Sequence, residues 1–204
     1  MRRVVNGLII DRKRKEVLLL QKPRRQFWYA PGGKADPQES LGEAIAREIY
    51  EETGLTIVQP RLGAAMTMIH EKTSANEAMG FTEPESPDAL KKGQQASVDA
   101  AHALEMGSFD SWMLYTFVID QYDGQAWETC EEGLLSWHPI AHLKHLPMPA
   151  GDRLVLMYLA QADDVVHTLT GKFRYTEEGE LLSYHLDDAG YFKEKRRIEG
   201  ESSL

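Results

Sequence analysis

Cysteine is all but absent: Cys130 stands alone in 204 residues. No internal disulfide can form, and the chain reads as one made for a reducing compartment. Long apolar runs are lacking too. None approaches the ~20 residues needed to span a bilayer. The opening MRRVVNGLIID has its apolar run broken by Asn6 and closed by Asp11, which fits a strand rather than a signal peptide. Positive charge is scarce. Lysine and arginine number 23 against 32 acidic residues, a net charge of −9. That balance argues against general nucleic-acid or anionic-membrane binding. A small anionic substrate stays open, because a bound cation reverses the local field. The expected setting is cytoplasmic.

What is present is an ordinary globular composition, 42% hydrophobic and 27% charged, long enough for one domain with a sizeable core. VVNGLII (4–10) and EVLLLQK (16–22) predict two strands joined by a polar turn. PGGKADPQE (31–39) is a loop by its Gly, Pro and Asp content. Ser40 with Glu43 three residues on predicts a capping box, and Gly54 the left-handed stop of a helix ending near Thr53. IVQPRLGAAMTMI (57–69) predicts one strand, bent or bulged at Pro60 and Gly63. SWMLYTFVID (111–120) predicts a buried strand and LLSWHPI (134–140) a weaker one. A second helix is expected over 151–162, and a hairpin turning at Glu178–Gly179 within 171–186. These elements give an α+β class with a mixed sheet. One domain is expected over 1–190, interrupted by a long polar insert at about 71–108 and followed by a charged tail, 191–204.

The stretch REIYEETGL (47–55) breaks local rules. Glu48, Glu51 and Glu52 repel one another at helical spacing and face the negative end of the macrodipole. On a helical wheel Leu41, Ile45, Glu48 and Glu52 share one stripe about 60° wide, with Glu51 on its shoulder. The face that must pack on the domain thus turns into carboxylate halfway along. Converging half-buried carboxylates need a counter-charge, and Arg47 alone is too far off the stripe to neutralise them all. A hard divalent cation with oxygen ligands is the fitting answer.

These residues also carry a resemblance. Gly33, five residues, Glu39, seven residues and then Arg47-Glu48-Ile49-Tyr50-Glu51-Glu52-Thr53-Gly54-Leu55 match the Nudix box at every fixed position. The ending GDRLVLMYL…GKFRYTEEGELLSYHL is similar to the MutT-like 8-oxo-purine nucleoside triphosphatase branch. The resemblance implies a Nudix-type α/β/α sandwich and Mg²⁺- or Mn²⁺-dependent hydrolysis of a nucleoside diphosphate linked to another moiety. In that branch the products would be a nucleoside monophosphate and pyrophosphate.

Carried over, the metal ligands would be Glu48, Glu51, Glu52 and the Gly32 carbonyl. Glu132 would complete them, with Glu131 as the alternative. Arg47 would orient the glutamates, Glu39 would support the loop-to-helix geometry, and Gly33 and Gly54 would allow its turns. Glu48 or Glu52 would be the general base. Trp28, Tyr29, Lys34 and Asp152 are the substrate-binding candidates, Asp152 because it stands where the branch places a purine-reading acid. Its structural alternative is a helix N-cap. Lys22, Arg24 and Arg25 are further basic residues that could meet phosphates. Residues 71–108 depart from the branch and are a candidate lid or dimer element, so a homodimer is left open. Other Nudix substrates, such as ADP-ribose, a dinucleoside polyphosphate or an RNA 5′ end, are the alternatives, followed by a non-catalytic nucleotide sensor.

Overall fold

The computed structural model describes residues 1–23, 26–71, 109–162 and 167–187. The expectations placed on Arg24, Arg25, most of the insert and the charged tail lie outside the described residues.

Strand β1 (Arg2–Asp11) is nearly continuous in apolar residues because helices cover both faces of the sheet it crosses. Leu8 and Ile10 point to one layer, Val5 and Ile9 to the other. Its antiparallel neighbour is β2 (Glu16–Gln21), with Ile9 opposite Leu18. Two short segments follow. In these, β3 (Trp28–Tyr29) pairs with β2, and β4 (Gly32–Lys34) pairs with β1. Helix α1 (Leu41–Thr53) then starts on the predicted capping box. The Glu43 N–H donates to Ser40 Oγ at 3.2 Å, and the Ser40 N–H donates to Glu43 Oε2 at 2.8 Å. Such a cap is worth about 1 kcal/mol. Gly54 ends the helix at φ 74°, and its N–H donates to the Tyr50 carbonyl.

The segment expected as a single bent strand divides in two. β5 (Thr56–Ile57) leaves the main sheet to pair with β8 (Tyr122–Asp123). β6 (Arg61–Glu71) stays in it, with a register irregularity between Leu62 and Ala64. Pro60, with no N–H to donate to a ladder, separates the two pieces. The remaining strands are β7 (Phe109–Ile119), β9 (Thr129–Cys130), β10 (Gly133–Pro139), β11 (Leu169–Tyr175) and β12 (Leu181–Asp187). A short 3-10 helix covers Ile140–His145, and α2 spans Ala150–Gln161.

The main sheet runs β12-β11-β6-β7-β1-β2-β10-β9. β1 is parallel to β7 and β11 is parallel to β6, so the sheet is mixed. Ile45 and Ile49 of α1 pack on Val5, Ile9, Phe117 and Ile119 from one side. Val155, Leu156 and Leu159 of α2 pack on Leu8, Met66, Val118 and Phe173 from the other. Each such fully buried aliphatic side chain contributes about 1.5–3 kcal/mol. The result is the expected α/β/α sandwich. Among the described residues no helix is long and apolar enough to cross a membrane.

Candidate active site

The β1–β4 pairing sets the site. Asn6 is opposite Gly32 and Val5 is opposite Gly33, which lays the glycine loop along the start of the central strand. Helix α1 crosses the same strand, and its last two turns bring the glutamates to the loop. Gly33 lies directly beneath Glu48: a Cβ built there would sit 2.4 Å from Glu48 Oε2 and 2.6 Å from its carboxyl carbon. A side chain at 33 would therefore occupy the space of the carboxylate.

Arg47 is the fastener. Its Nε and Nη2 donate to the two oxygens of Glu39 at 2.7 and 2.9 Å. Nη1 donates to Glu48 Oε1 at 2.9 Å and to Glu51 Oε2 at 3.2 Å, and Nη2 also reaches the Lys34 carbonyl at 3.1 Å. Bidentate charge-assisted bonds of this kind fix direction as well as charge. The Arg47 hydrogen bond, helped by the Asp36 N–H, pulls the Glu39 carboxyl down to about 2. Glu39, Glu48 and Glu51 are thus tied to one guanidinium, and that guanidinium is tied to the loop.

Glu52 is different. It is 5% exposed, and only its Oε2 is served, by the Gly32 N–H at 2.6 Å. Oε1 is buried and accepts no hydrogen bond within the described structure. Burial pushes this carboxyl up to about 8. The Gly32 bond and Lys22 oppose that shift, while Glu132 and Glu48 add to it. Lys22 and Glu132 form an ion pair beside it.

An orphaned buried carboxylate oxygen flanked by acidic groups fits a divalent cation. The available donors, Glu48, Glu51, Glu52, Glu132 and backbone carbonyls, are the hard oxygens Mg²⁺ or Mn²⁺ would take. Among the described residues no three such side chains already converge into a closed cage. Arg47 holds Glu48 and Glu51, while Glu52 faces Lys22 and Glu132.

On the opposite face of the same strand pair lies a small, mostly apolar pocket of about 10 Å³, room for roughly one water. Its lining includes Asn6, Met66, Leu114, Thr116, Asp152 and Phe173. Asp152 is not a helix N-cap. Pro149 holds that position, with no side-chain cap, and Asp152 stands inside the first turn of α2. Burial pushes its carboxyl up to about 6. Asn6 Oδ1 is buried in the same pocket and accepts no hydrogen bond within the described structure. Asn6 was no site candidate by sequence, only a break in the apolar run. Its signal was there, a single amide inside a strand otherwise apolar on both faces.

The other substrate candidates are placed apart from that pocket. Trp28 is 9% exposed and belongs to the core under α2, its ring edge-on to His138 at 4.3 Å. Tyr29 pairs across from Leu20 and its ring lies 6.5 Å from that of Phe27. Lys34 is exposed and contributes its carbonyl to Arg47. Glu131 is exposed as well.

Comparison with known proteins names the family in which a glycine loop lies under a helix of fastened glutamates. The NUDIX domain matches residues 1–159, and the chain belongs to the Nudix hydrolase family. It is 38% identical over 172 residues to the uncharacterized Nudix hydrolase YvcI of Bacillus subtilis, covering 84% of this chain and 87% of that one. The crystal structure of a MutT protein from Bacillus halodurans superposes with a TM-score of 0.69 at 33% identity, covering 92% of this chain and 98% of that one. A partial similarity, 31% over 97 residues, relates it to the 8-oxo-dGTP diphosphatase of Proteus vulgaris, covering 44% of this chain and 84% of that one.

Proposed function

We propose that this Nudix hydrolase is a Mg²⁺- or Mn²⁺-dependent pyrophosphohydrolase of purine nucleoside triphosphates, oxidised purines foremost, releasing the monophosphate and pyrophosphate. The observation that carries the reading is the pairing of Asn6 with Gly32. It puts a slot holding the unpartnered Asn6 Oδ1 and the Asp152 carboxyl one strand pair from the glutamates. In an apolar pocket, an acceptor at Asn6 and a carboxyl at Asp152 suit the edge of a planar heterocycle rich in N–H donors. An oxidised guanine has such an edge. The relatives named as 8-oxo-dGTP diphosphatases support the same choice.

In this reading Glu48, Glu51, Glu52 and Glu132, with the Gly32 carbonyl, would hold the ion. It would stabilise charge on the pyrophosphate bridge and acidify the attacking water. Arg47 keeps Glu48 and Glu51 in place. Glu48 Oε1 already accepts from Arg47 and Glu52 Oε2 from the Gly32 N–H, and these two glutamates remain the candidates for the general base. Lys34 is left for the phosphates. The reading also carries one domain over 1–190, a cytoplasmic setting, and no general nucleic-acid or membrane partner. A homodimer stays open.

The test is kcat/KM for 8-oxo-dGTP, dGTP and ADP-ribose in the parent, Asn6→Leu and Asp152→Asn. The parent is expected to be fastest on 8-oxo-dGTP. Each variant is expected to lose roughly 5–100-fold on that substrate, the cost of one buried hydrogen bond, with less change on dGTP. Faster cleavage of ADP-ribose, or equal losses on every substrate, contradicts the reading.

A further inference from the structure

Two cations divide the acidic site. The hydrogen bonds of the Arg47 guanidinium go to Glu39, Glu48, Glu51 and the Lys34 carbonyl. Glu132 turns to Lys22 instead. The ammonium pairs directly with Glu132.

The backbone delivers this ammonium from a fixed point. Lys22 follows the last residue of β2. Its N–H donates to the Phe27 carbonyl at 3.3 Å, and its own carbonyl accepts from the Gln26 N–H at 3.0 Å. Gln21 is paired with Leu134, which brings the turn carrying Glu132 alongside. The side chains remain free to part: they are 39% and 51% exposed. A pair this open is weak, worth about a factor of two to five in an equilibrium.

Resting on the reading that Glu52 and Glu132 are metal ligands, we propose that Lys22 is a positioning residue, an internal counter-ion of the metal-free enzyme. It neutralises Glu132, competes with the divalent ion for the Glu132 oxygens, and turns to the phosphate chain of the substrate when that pair opens. The chemistry of the two cations separates their roles. Arg47 is a planar fork spread over three carboxylates and a carbonyl, and stays bound. Lysine is a compact charge on a flexible stem and changes partners without moving the backbone.

The experiment is a titration of the full-length protein with Mn²⁺ in the absence of substrate, read by the electron paramagnetic resonance of the free ion. Lys22→Met is expected to bind Mn²⁺ about two- to fivefold more tightly than the parent, because a competitor is removed and Glu132 is left unpaired. Lys22→Arg restores the charge and is expected to return the affinity towards that of the parent. In turnover, Lys22→Met is expected to raise KM by a larger factor than it lowers kcat. Circular dichroism establishes that each variant is folded. Unchanged or weaker Mn²⁺ binding by folded Lys22→Met overturns the proposal. Glu52→Gln, run beside it, tests the underlying reading. Parent-like Mn²⁺ affinity in that variant overturns the ligand assignment itself, and the proposal with it.

Discussion

Replacing Glu52 with glutamine is expected to lower kcat by about three orders of magnitude, within the range for loss of a catalytic carboxylate. The substitution is nearly isosteric. The amide oxygen of glutamine can still accept from the Gly32 N–H that now reaches Glu52 Oε2 at 2.6 Å, so the loop stays seated. What is lost is the negative charge at a buried oxygen with no other partner. Stability should move the other way. In the parent, the Glu52 carboxyl is pushed from an ordinary 4.5 up to about 8. The folded state therefore holds a proton that the unfolded state releases, and the metal-free protein loses stability as pH rises across that window. Glu52→Gln has no such proton. In a chelator its Tm is expected to stay flatter between these pH values and to exceed that of the parent near pH 8. Thermal melts across pH, beside steady-state rates, check both halves. Wild-type turnover by the variant would remove Glu52 from the mechanism.

Gly33→Ala is expected to cost about 100-fold in kcat with little change in Tm. The added methyl would lie 2.4–2.6 Å from the Glu48 carboxylate atoms. That obstacle is the far end of a flexible side chain, so the fold can yield cheaply by swinging Glu48 aside. The swing breaks the 2.9 Å bond from Arg47 and takes a carboxylate out of the site. Misplacement by an ångström is enough for a loss of that order. A large fall in Tm with proportionate loss of activity would instead make Gly33 a folding residue.

Much of this was legible in sequence because it is local. The capping box at Ser40–Glu43, the stop at Gly54 and the run of apolar residues turning into carboxylates on α1 all follow from spacing within one helix. The box motif then fixes which carboxylates meet the glycine loop. The reach of Arg47 to Glu48, Glu51 and Glu39 at once was only partly legible, since it depends on where the loop folds back. Features set by long-range pairing were harder to read. Thr56–Ile57 is a separate strand only because Tyr122–Asp123 is there to receive it. Trp28 could read as a base-stacking or a core aromatic from sequence, and the Pro147 carbonyl and His138 hold it against the core. Asp152 resembled a cap, but the fixed φ of Pro149 starts α2 earlier and leaves the acid inside the first turn. Asn6 gains its meaning from register: opposite Gly32 on one side and Thr116 on the other, it joins the glutamate site to the pocket under α2.

If the proposed activity is right, this site splits the α–β phosphoanhydride of a purine nucleoside triphosphate, and phosphorus NMR of the products formed from 8-oxo-dGTP with Mg²⁺ reads which bond is cut. Equal amounts of nucleoside monophosphate and pyrophosphate are expected, both forming about a thousandfold more slowly with Glu52→Gln. Nucleoside diphosphate with orthophosphate, or no turnover of the triphosphate while ADP-ribose is cleaved, would contradict that activity.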